Sequence, residues 1–220
     1  METYGFDLPD MSDYVVHFTK PSVRSSAYDV MLSILASGQL RASGPYGIAA
    51  GIAPDPDGQK VVCFSEAPLD ALNRIVRTRG LYGIAFSKRF LIARGGGSIW
   101  YVEPDGQVAS AVRQTLLAQP GAGAATDPAW RMTPFIEFPG DEPDGPYRWE
   151  REWRHVGNLS FGESDPSFLF IPEDLHDAAR DFFDTARDDN TGPCYECRFL
   201  DPRWDRIRLM DELATPRRSL

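Results

Sequence analysis

The sequence predicts an α+β protein. Short runs of β-branched and aromatic residues are typical of strands, and longer stretches place apolar residues at helical spacing. These segments follow one another without the regular strand–helix–strand rhythm of a doubly wound parallel sheet. The chain has 220 residues, of which 42% are hydrophobic, enough for the core of one large domain. We therefore predict a single domain over residues 1–220.

The first half of the chain predicts strands alternating with helices. Residues 13–19 read as a strand that ends before Pro21. Ser26, with Asp29 three residues later, has the form of a capping box, and Gly38 is a natural end for the helix that follows. A second strand covers residues 60–65, and Pro68 suits the first turn of a second helix that ends at Gly80. Between them, residues 44–58 are rich in Gly and Pro and predict a loop.

The second half predicts more strands than helices. Residues 119–128 hold small residues, and we interpret them as a surface loop inside the domain. The predicted strands are residues 82–86, 98–102, 135–138, 148–156, 167–171 and 195–199. The predicted helices are residues 108–117, 175–186 and 204–213.

Composition narrows the class of function. The formal net charge is -9, and such a field repels polyanions, which disfavours bulk binding of DNA or RNA. No apolar run is long enough to span a bilayer, and the acidic N-terminus lacks the pattern of a signal peptide. The three cysteines form no disulfide framework, and Cys194 and Cys197 alone do not supply the four ligands of a structural zinc site. We expect a cytoplasmic protein with reduced thiols, no metal and no membrane contact.

The segment at residues 150–154 (EREWR) is the strongest candidate for chemistry. In a regular strand Glu150, Glu152 and Arg154 share one face, where their charges are costly to bury unless they are paired. The simplest interpretation is a solvated edge strand with ion pairs. Two further residues stand on other predicted strands, His17 in an apolar run and Ser65 at a strand end. By themselves they are most simply a core histidine and a helix N-cap.

The order of these segments is more specific than any one of them. The segments at 17–19 (HFT), 63–69 (CFSEAPL), 82–83 (YG) and 150–154 (EREWR) together resemble the ADP-ribosyltransferase fold. They are also similar to AbiGi-like abortive-infection proteins of bacteria, which are associated with phage defence and toxin–antitoxin loci. The resemblance covers about residues 14–156. It implies a split antiparallel or mixed sheet with flanking helices, NAD as substrate, an acceptor that is a protein or a nucleic acid, and a cognate antitoxin or toxin as partner.

The resemblance also implies roles for individual residues. Glu152 would stabilise the oxocarbenium-like state formed when nicotinamide leaves the ribose, and Glu150 would act on the acceptor. Ser65 would orient Glu152 or the nicotinamide ribose, and Arg154 or Arg151 would pair with the pyrophosphate. His17 would bind the adenosine ribose, and Tyr82 or Phe64 would stack on nicotinamide. The implied NAD-binding residues are therefore His17, Phe18, Thr19, Phe64, Ser65, Tyr82 and Arg154.

This sequence departs from the family pattern at two places, and two other functions stay open. The first strand carries His17 instead of Arg, and Cys63-Phe64-Ser65 stands in place of a Ser-Thr-Ser triplet. One alternative is a non-catalytic antitoxin or regulator of the same fold. The other is a metal-independent nuclease that uses His17 and Glu152 as acid and base. It would need a basic groove, for which the candidates are Arg74, Arg77, Arg79, Lys88 and Arg89.

Overall fold

The computed structural model describes residues 13–47, 50, 53–66, 72–118, 127–138 and 150–214. Most of its strand pairs are antiparallel, and helices accompany them, which confirms the predicted α+β class. The chain divides into two compact units, each assembled from segments distant in sequence. The first unit contains Met1–Gly38, Glu66–Lys88 and Phe161–Leu220, and the second contains Gln39–Ser65 and Arg89–Ser160.

Most of the described elements follow the predicted order, with shifts of a few residues at their ends, whereas the short helices Lys88–Ala93 and Ala129–Met132 were not predicted. The strands are β1 (Tyr14–Phe18), β2 (Gln39–Leu40), β3 (Val61–Ser65), β4 (Gly83–Ser87), β5 (Gly97–Ser98), β6 (Trp100–Tyr101), β7 (Ile136–Glu137), β8 (Glu152–Val156), β9 (Leu159–Ser160), β10 (Phe168–Phe170) and β11 (Arg198–Leu200). The helices are α1 (Ala27–Ser37), α2 (Leu72–Arg79), α3 (Lys88–Ala93), α4 (Gln107–Leu117), α5 (Ala129–Met132), α6 (His176–Asp188) and α7 (Arg206–Ala214).

Three differences from the predicted elements stand out. The strand expected at 98–102 is divided into β5 and β6, and the short strands β2 and β9 were not predicted because two residues carry no usable periodicity. The strand expected at 148–156 begins only at Glu152. Most of the loop expected at 119–128 and the start of the second helix, including Pro68, lie outside the described residues. None of the described helices is long and apolar enough to cross a membrane.

The first unit is built on four strands in the order β11-β10-β4-β1. β4 is antiparallel to both β1 and β10, whereas β10 and β11 are parallel. Aromatic residues fill much of its interior, where Phe168 packs edge-on against Phe170 with ring centroids 5.1 Å apart. The Tyr195 hydroxyl is also buried, and it donates a hydrogen bond of 2.7 Å to the carbonyl of Leu35. The interior of this unit is therefore largely aromatic, and the buried Tyr195 hydroxyl has a hydrogen-bond partner within it.

Helix α1 begins and ends as its sequence predicts. The Ser26 hydroxyl accepts the amide of Asp29 at 3.1 Å, and the Asp29 carboxylate accepts the amide of Ser26 at 3.0 Å, which completes the capping box. Gly38 follows the helix with φ of 60°, and a Cβ there would lie 2.8 Å from the carbonyl oxygen of Phe161. Glycine is required at this position by both conformation and space.

The second unit is built on three antiparallel strands in the order β3-β8-β5. Two small pairs accompany them: β2 with β9, which is antiparallel, and β6 with β7, which is parallel. Strand β8 lies in the middle, with hydrogen-bonded neighbours on both sides. The charged EREWR segment therefore leads into an interior strand, and the interpretation as a solvated edge strand is wrong.

Candidate functional site

The register of β3 and β8 brings two of the candidate segments together in the second unit. Ser65, the last residue of β3, lies opposite Glu152, the first residue of β8. Two residues further along, Cys63 lies opposite Arg154. Because side chains two residues apart share a face of a strand, the four side chains form one cluster. The end of β3 at Ser65 and the start of β8 at Glu152 thus meet through strand pairing.

Glu150 lies just before β8 and belongs to the same cluster by a different route. The Ser65 hydroxyl donates a hydrogen bond of 2.8 Å to the Glu150 carboxylate. Both residues are buried, with 6% of Ser65 and 2% of Glu150 exposed. Arg151 between the two glutamates has a φ of 46°, a left-handed conformation that few non-glycine residues adopt. The prediction that Glu150 and Glu152 share a face through strand alternation is wrong, because this turn precedes the strand.

Arg154 is the centre of a buried charged network. Its Nε donates to the Glu152 carboxylate at 2.8 Å, and its terminal nitrogens donate to the Glu137 carboxylate at 2.6 Å and to the carbonyl of Pro134 at 2.8 Å. Only 3% of its side chain is exposed. Burial opposes the charge, but the bonds to Glu152 and Glu137 outweigh it, and the pKa of Arg154 is raised. A planar guanidinium with a partner on each nitrogen is among the few buried charges that proteins tolerate.

The resemblance implies that Arg154 binds a pyrophosphate, but in this structure its guanidinium is engaged by protein groups. All three guanidinium nitrogens already donate to protein acceptors. A guanidinium has five N–H groups, so these three bonds do not exhaust its donors. The Arg154 side chain is only 3% exposed, however, so contact with a phosphate would require protein atoms to move away from it. Arg151, the other residue implied for this role, is half-buried at the turn before β8.

Cys63 and Tyr101 add weakly acidic groups beside Glu152. Burial, followed by the negative charge of Glu152, raises the pKa of Cys63 to about 12. The same two causes raise the pKa of Tyr101, while a hydrogen bond from the backbone of Glu152 acts in the opposite direction. Both groups therefore stay protonated at neutral pH, and neither is a nucleophile in this state.

The two glutamates paired with Arg154 are the accessible part of the network. The Glu152 side chain is 17% exposed and that of Glu137 is 24% exposed. Glu152, which the sequence analysis singled out, is thus open to solvent while its guanidinium partner is not. Phe64, by contrast, is 2% exposed, so its ring could stack on a ligand only if protein atoms moved away.

The remaining candidates lie in the first unit. His17 is half-buried on β1, opposite Ile84 of β4. Thr19 is buried, and its hydroxyl donates to the carbonyl of Ala27 at 2.8 Å, which joins the end of β1 to the start of α1. The ring of Phe18 stacks on Phe170 at 5.9 Å. These contacts give Phe18 and Thr19 evident structural roles.

Tyr82 and the basic residues complete the predicted set. The Tyr82 ring lies 5.4 Å from that of Tyr28 in the first unit, and burial raises the pKa of its hydroxyl. Lys88, one of the cations proposed for a nuclease groove, forms an ion pair of 2.7 Å with the buried carboxylate of Glu66. Its side chain is 16% exposed, so it contributes little to an accessible basic surface.

The structure therefore joins Ser65, Glu150, Glu152 and Arg154 directly, while His17, Phe18, Thr19 and Tyr82 belong to the other unit. Three further members of this cluster, Glu137, Tyr101 and Cys63, were not predicted from the sequence. One signal was present for Glu137, which interrupts an otherwise apolar run at residues 135–138. An acid in such a run needs a cationic partner, and the partner is Arg154.

The cysteine pair Cys194 and Cys197 belongs to a different unit of the chain from this cluster. Cys194 and Cys197 are buried free thiols in the first unit. Over residues 13–47, 50, 53–66, 72–118, 127–138 and 150–214, no group of His, Cys, Asp and Glu side chains is arranged to hold a metal ion. Comparisons of the chain with protein-family models, with curated proteins and with solved structures gave no match. The function must therefore be inferred from the geometry and chemistry of the cluster around Glu152.

Proposed function

We propose that this protein is an NAD-dependent ADP-ribosyltransferase-like enzyme, a bacterial toxin or phage-defence effector, in which Glu152 acts on the nicotinamide ribose. One observation supports this most: the hydrogen bond of 2.8 Å between Ser65 and Glu150, next to the pairing of Ser65 with Glu152. The resemblance requires a serine at a strand end to meet the Glu-x-Glu segment. The antiparallel pairing of β3 with β8 is consistent with that requirement.

The proposed reaction breaks the bond between C1′ of the ribose and the nicotinamide nitrogen. The bonding electrons leave with nicotinamide, which departs as a neutral ring, and positive charge develops on the ribose. A carboxylate near the ribose binds this charged state more strongly than the ground state, and that difference lowers the barrier. The acceptor then forms a new bond to C1′ and loses a proton to a base or to water. Glu152 is an accessible carboxylate of the cluster and is suited to the first role.

The role proposed for Glu150 differs from the role expected from the sequence, whereas that of Glu152 is unchanged. Glu150 was expected to act on the acceptor, but it is 2% exposed and its carboxylate accepts a hydrogen bond from Ser65. A buried carboxylate in that position cannot take a proton from an acceptor arriving from solvent. In this proposal Glu150 is a positioning residue that fixes the end of β3, and water or another base accepts the proton.

Arg154 is a positioning residue as well. Its Nε donates to one oxygen of Glu152 at 2.8 Å, which fixes the orientation of the carboxylate. The same pairing reduces the negative potential that Glu152 presents to a ribose. Binding of NAD would therefore be most productive if the guanidinium stayed on Glu137 and the carbonyl of Pro134 while Glu152 turned towards the ligand.

The test compares two carboxylates that share Arg154. Nicotinamide release from NAD and NAD binding by calorimetry should be measured for the unmodified protein, Glu152→Gln and Glu137→Gln. We expect Glu152→Gln to lower the rate by about 100-fold or more, the effect of removing one transition-state contact, with little change in NAD affinity. Glu137→Gln is the matched control, and we expect it to retain activity within about tenfold because it contacts only Arg154 in the proposed scheme. Unmodified protein that binds no NAD, or equal losses in both variants, would contradict the proposal.

A second candidate function is a non-catalytic regulator of the same fold. The closed network of Arg154 with Glu152, Glu137 and Pro134 favours it, because a guanidinium with these partners needs no ligand. In that case the unmodified protein would release no nicotinamide. Glu152→Gln and Glu137→Gln would then act only on the free energy of unfolding, by comparable amounts.

A further inference from the structure

Helix α6 in the first unit has, besides its core face, a second face that combines apolar and polar residues. Ala179 and Phe183 are 1% exposed and form the buried face. A second stripe at spacing i, i+3, i+4, i+7 and i+8 lines a groove. It consists of Ala178, Asp181, Phe182, Thr185 and Ala186. Phe182 is 51% exposed, unusual for a large aromatic side chain. Packing in the core accounts for Ala179 and Phe183 but not for the exposed aromatic ring of the second stripe.

The rest of the groove comes from the same unit. Leu32, Leu35 and Ala36 of α1 and residues 191–193 also line it. The groove encloses about 540 Å³, a volume within the range of sites that bind apolar ligands. The residues of α6 that line the groove extend from Ala178 to Ala186, roughly 13 Å of helix. Such a length matches two or three anchoring side chains of a second helix laid along it.

The rim of this groove is acidic. Helix α6 carries four aspartates and two arginines, and α1 carries one aspartate and no base. Both arginines are already engaged, Arg180 with the carbonyls of Tyr195 and Cys197 and Arg187 with three carboxylates. Asp181 lines the groove and is exposed, and it makes no ion pair with any residue that the structure describes. The uncompensated charge beside the apolar stripe is therefore negative.

We infer that this groove binds an apolar segment of a partner polypeptide that carries Lys or Arg beside its anchoring residues. Exposed aromatic side chains at the centre of a groove contribute most to such contacts. An acidic rim attracts a basic segment and repels acidic peptides and nucleic acids, so charge sets the class of partner. The inference does not depend on the chemistry proposed for Glu152, which lies in the other unit.

The test uses two designed peptide probes of about four helical turns with the same leucine stripe. One carries Lys and the other Glu on the polar face, and each is labelled with a fluorophore at one end. Fluorescence anisotropy is measured with the full chain and three variants: Phe182→Ala, Asp181→Asn and Ile207→Ala. Ile207 of α7 is the matched control, because it is 75% exposed in the same unit and does not line the groove.

We expect the Lys peptide to bind at least about tenfold more tightly than the Glu peptide, with an affinity that falls as salt is added. Phe182→Ala should raise its Kd about tenfold or more, Asp181→Asn by a smaller factor, and Ile207→Ala not at all. Equal binding to the unmodified protein and Phe182→Ala would overturn the inference. Self-association of the chain that Phe182→Ala abolishes would also overturn it, because the groove would then be occupied by a second copy.

Discussion

Two acid–arginine pairs with the same spacing occupy the two units and are built in opposite ways. Glu152 and Arg154 lie in the second unit, and Asp201 and Arg203 lie in the first. In the second unit the arginine is buried, with 3% of its side chain exposed, and its acid partners are partly accessible. In the first unit the acid is buried, with 3% of its side chain exposed, and the arginine is 51% exposed.

The difference determines how each pair contributes to stability. The buried charge of Arg154 is compensated by protein acceptors alone, so removal of those acceptors would leave it uncompensated. Removal of Arg154 would likewise leave the Glu152 and Glu137 carboxylates without their cation. Asp201 accepts two backbone amides, those of Glu173 and Arg203, in addition to the guanidinium. The Arg203 guanidinium donates hydrogen bonds to Asp201 and is half exposed, so water can replace much of its stabilisation of the carboxylate. Of these two pairs, only the pair in the second unit has a partly exposed carboxylate with a buried cation.

The largest effect is expected from Arg154→Met, which removes the buried charge and leaves Glu152 and Glu137 facing each other. Breaking a buried ion pair on one side destabilises a protein by about 3–5 kcal/mol. Urea unfolding followed by circular dichroism measures the loss. Addition of Glu137→Gln and Glu152→Gln to the same chain removes the repulsion and should recover part of it. A loss below about 1 kcal/mol for Arg154→Met would show that the network is no tighter than a surface pair.

An intermediate effect is expected from Asp201→Asn, and it depends on pH. Burial by itself would raise the pKa of Asp201, but the hydrogen bonds from Arg203 and from the amides of Glu173 and Arg203 lower it below its ordinary value. The stability that this carboxylate adds is therefore present above a pH of about 4 and is lost as pH falls through the folded-state pKa. At neutral pH we expect Asn to lower the free energy of unfolding by about 1–3 kcal/mol.

The pH dependence separates the charge of Asp201 from its packing. The difference in stability between the unmodified chain and Asp201→Asn should stay constant from pH 7 to about 4. It should shrink as pH falls further, through the lowered folded-state pKa, because the native carboxyl is then protonated too. Arg203→Ala is the matched control, and we expect a smaller loss at neutral pH because its guanidinium is half exposed. A loss for Arg203→Ala as large as that for Asp201→Asn would contradict the comparison of the two pairs.

The smallest effect is expected at Cys63, which reports on the charge of Glu152 without changing the fold. With a pKa of about 12, the thiol should be alkylated slowly by iodoacetamide at neutral pH in the native protein and quickly after denaturation. Glu152→Gln removes the nearby negative charge and should increase the native rate, whereas Asp201→Asn should leave it unchanged. Mass spectrometry of the Cys63 peptide measures both. An unchanged rate in Glu152→Gln would mean that burial alone controls the thiol.

The local features of this chain were largely readable from its sequence. The capping box at Ser26, the glycine that follows α1 and the apolar side of α6 depend on residues close together in the chain. Such short-range hydrogen bonds and periodicities are visible in one sequence. The order of strands and helices was also predicted well, because most elements carry their own pattern. Two-residue strands such as β9 were missed, since their pairing partners alone define them.

The candidate site was predicted only in part. Ser65 lies beside Glu150 and Glu152, as the family resemblance implied, and their function stays a prediction. Their arrangement was not predicted correctly, since regular alternation would have placed the two glutamates on one face of an exposed strand. The left-handed turn at Arg151 places Glu150 in the interior against Ser65 and leaves Glu152 at the surface.

The sequence by itself determined the α+β class, the helix ends and the set of charged residues that need partners. The tertiary structure alone decided which charges are paired and which are accessible. Glu137 and Arg154 are 17 residues apart, and Ser65 and Glu150 are 85 residues apart. The energy of a charge depends on its burial and on neighbours brought in by distant segments, and no local pattern records either. The EREWR segment, whose sequence is typical of a solvated strand, is therefore part of a partly buried network, because distant segments supply its partners.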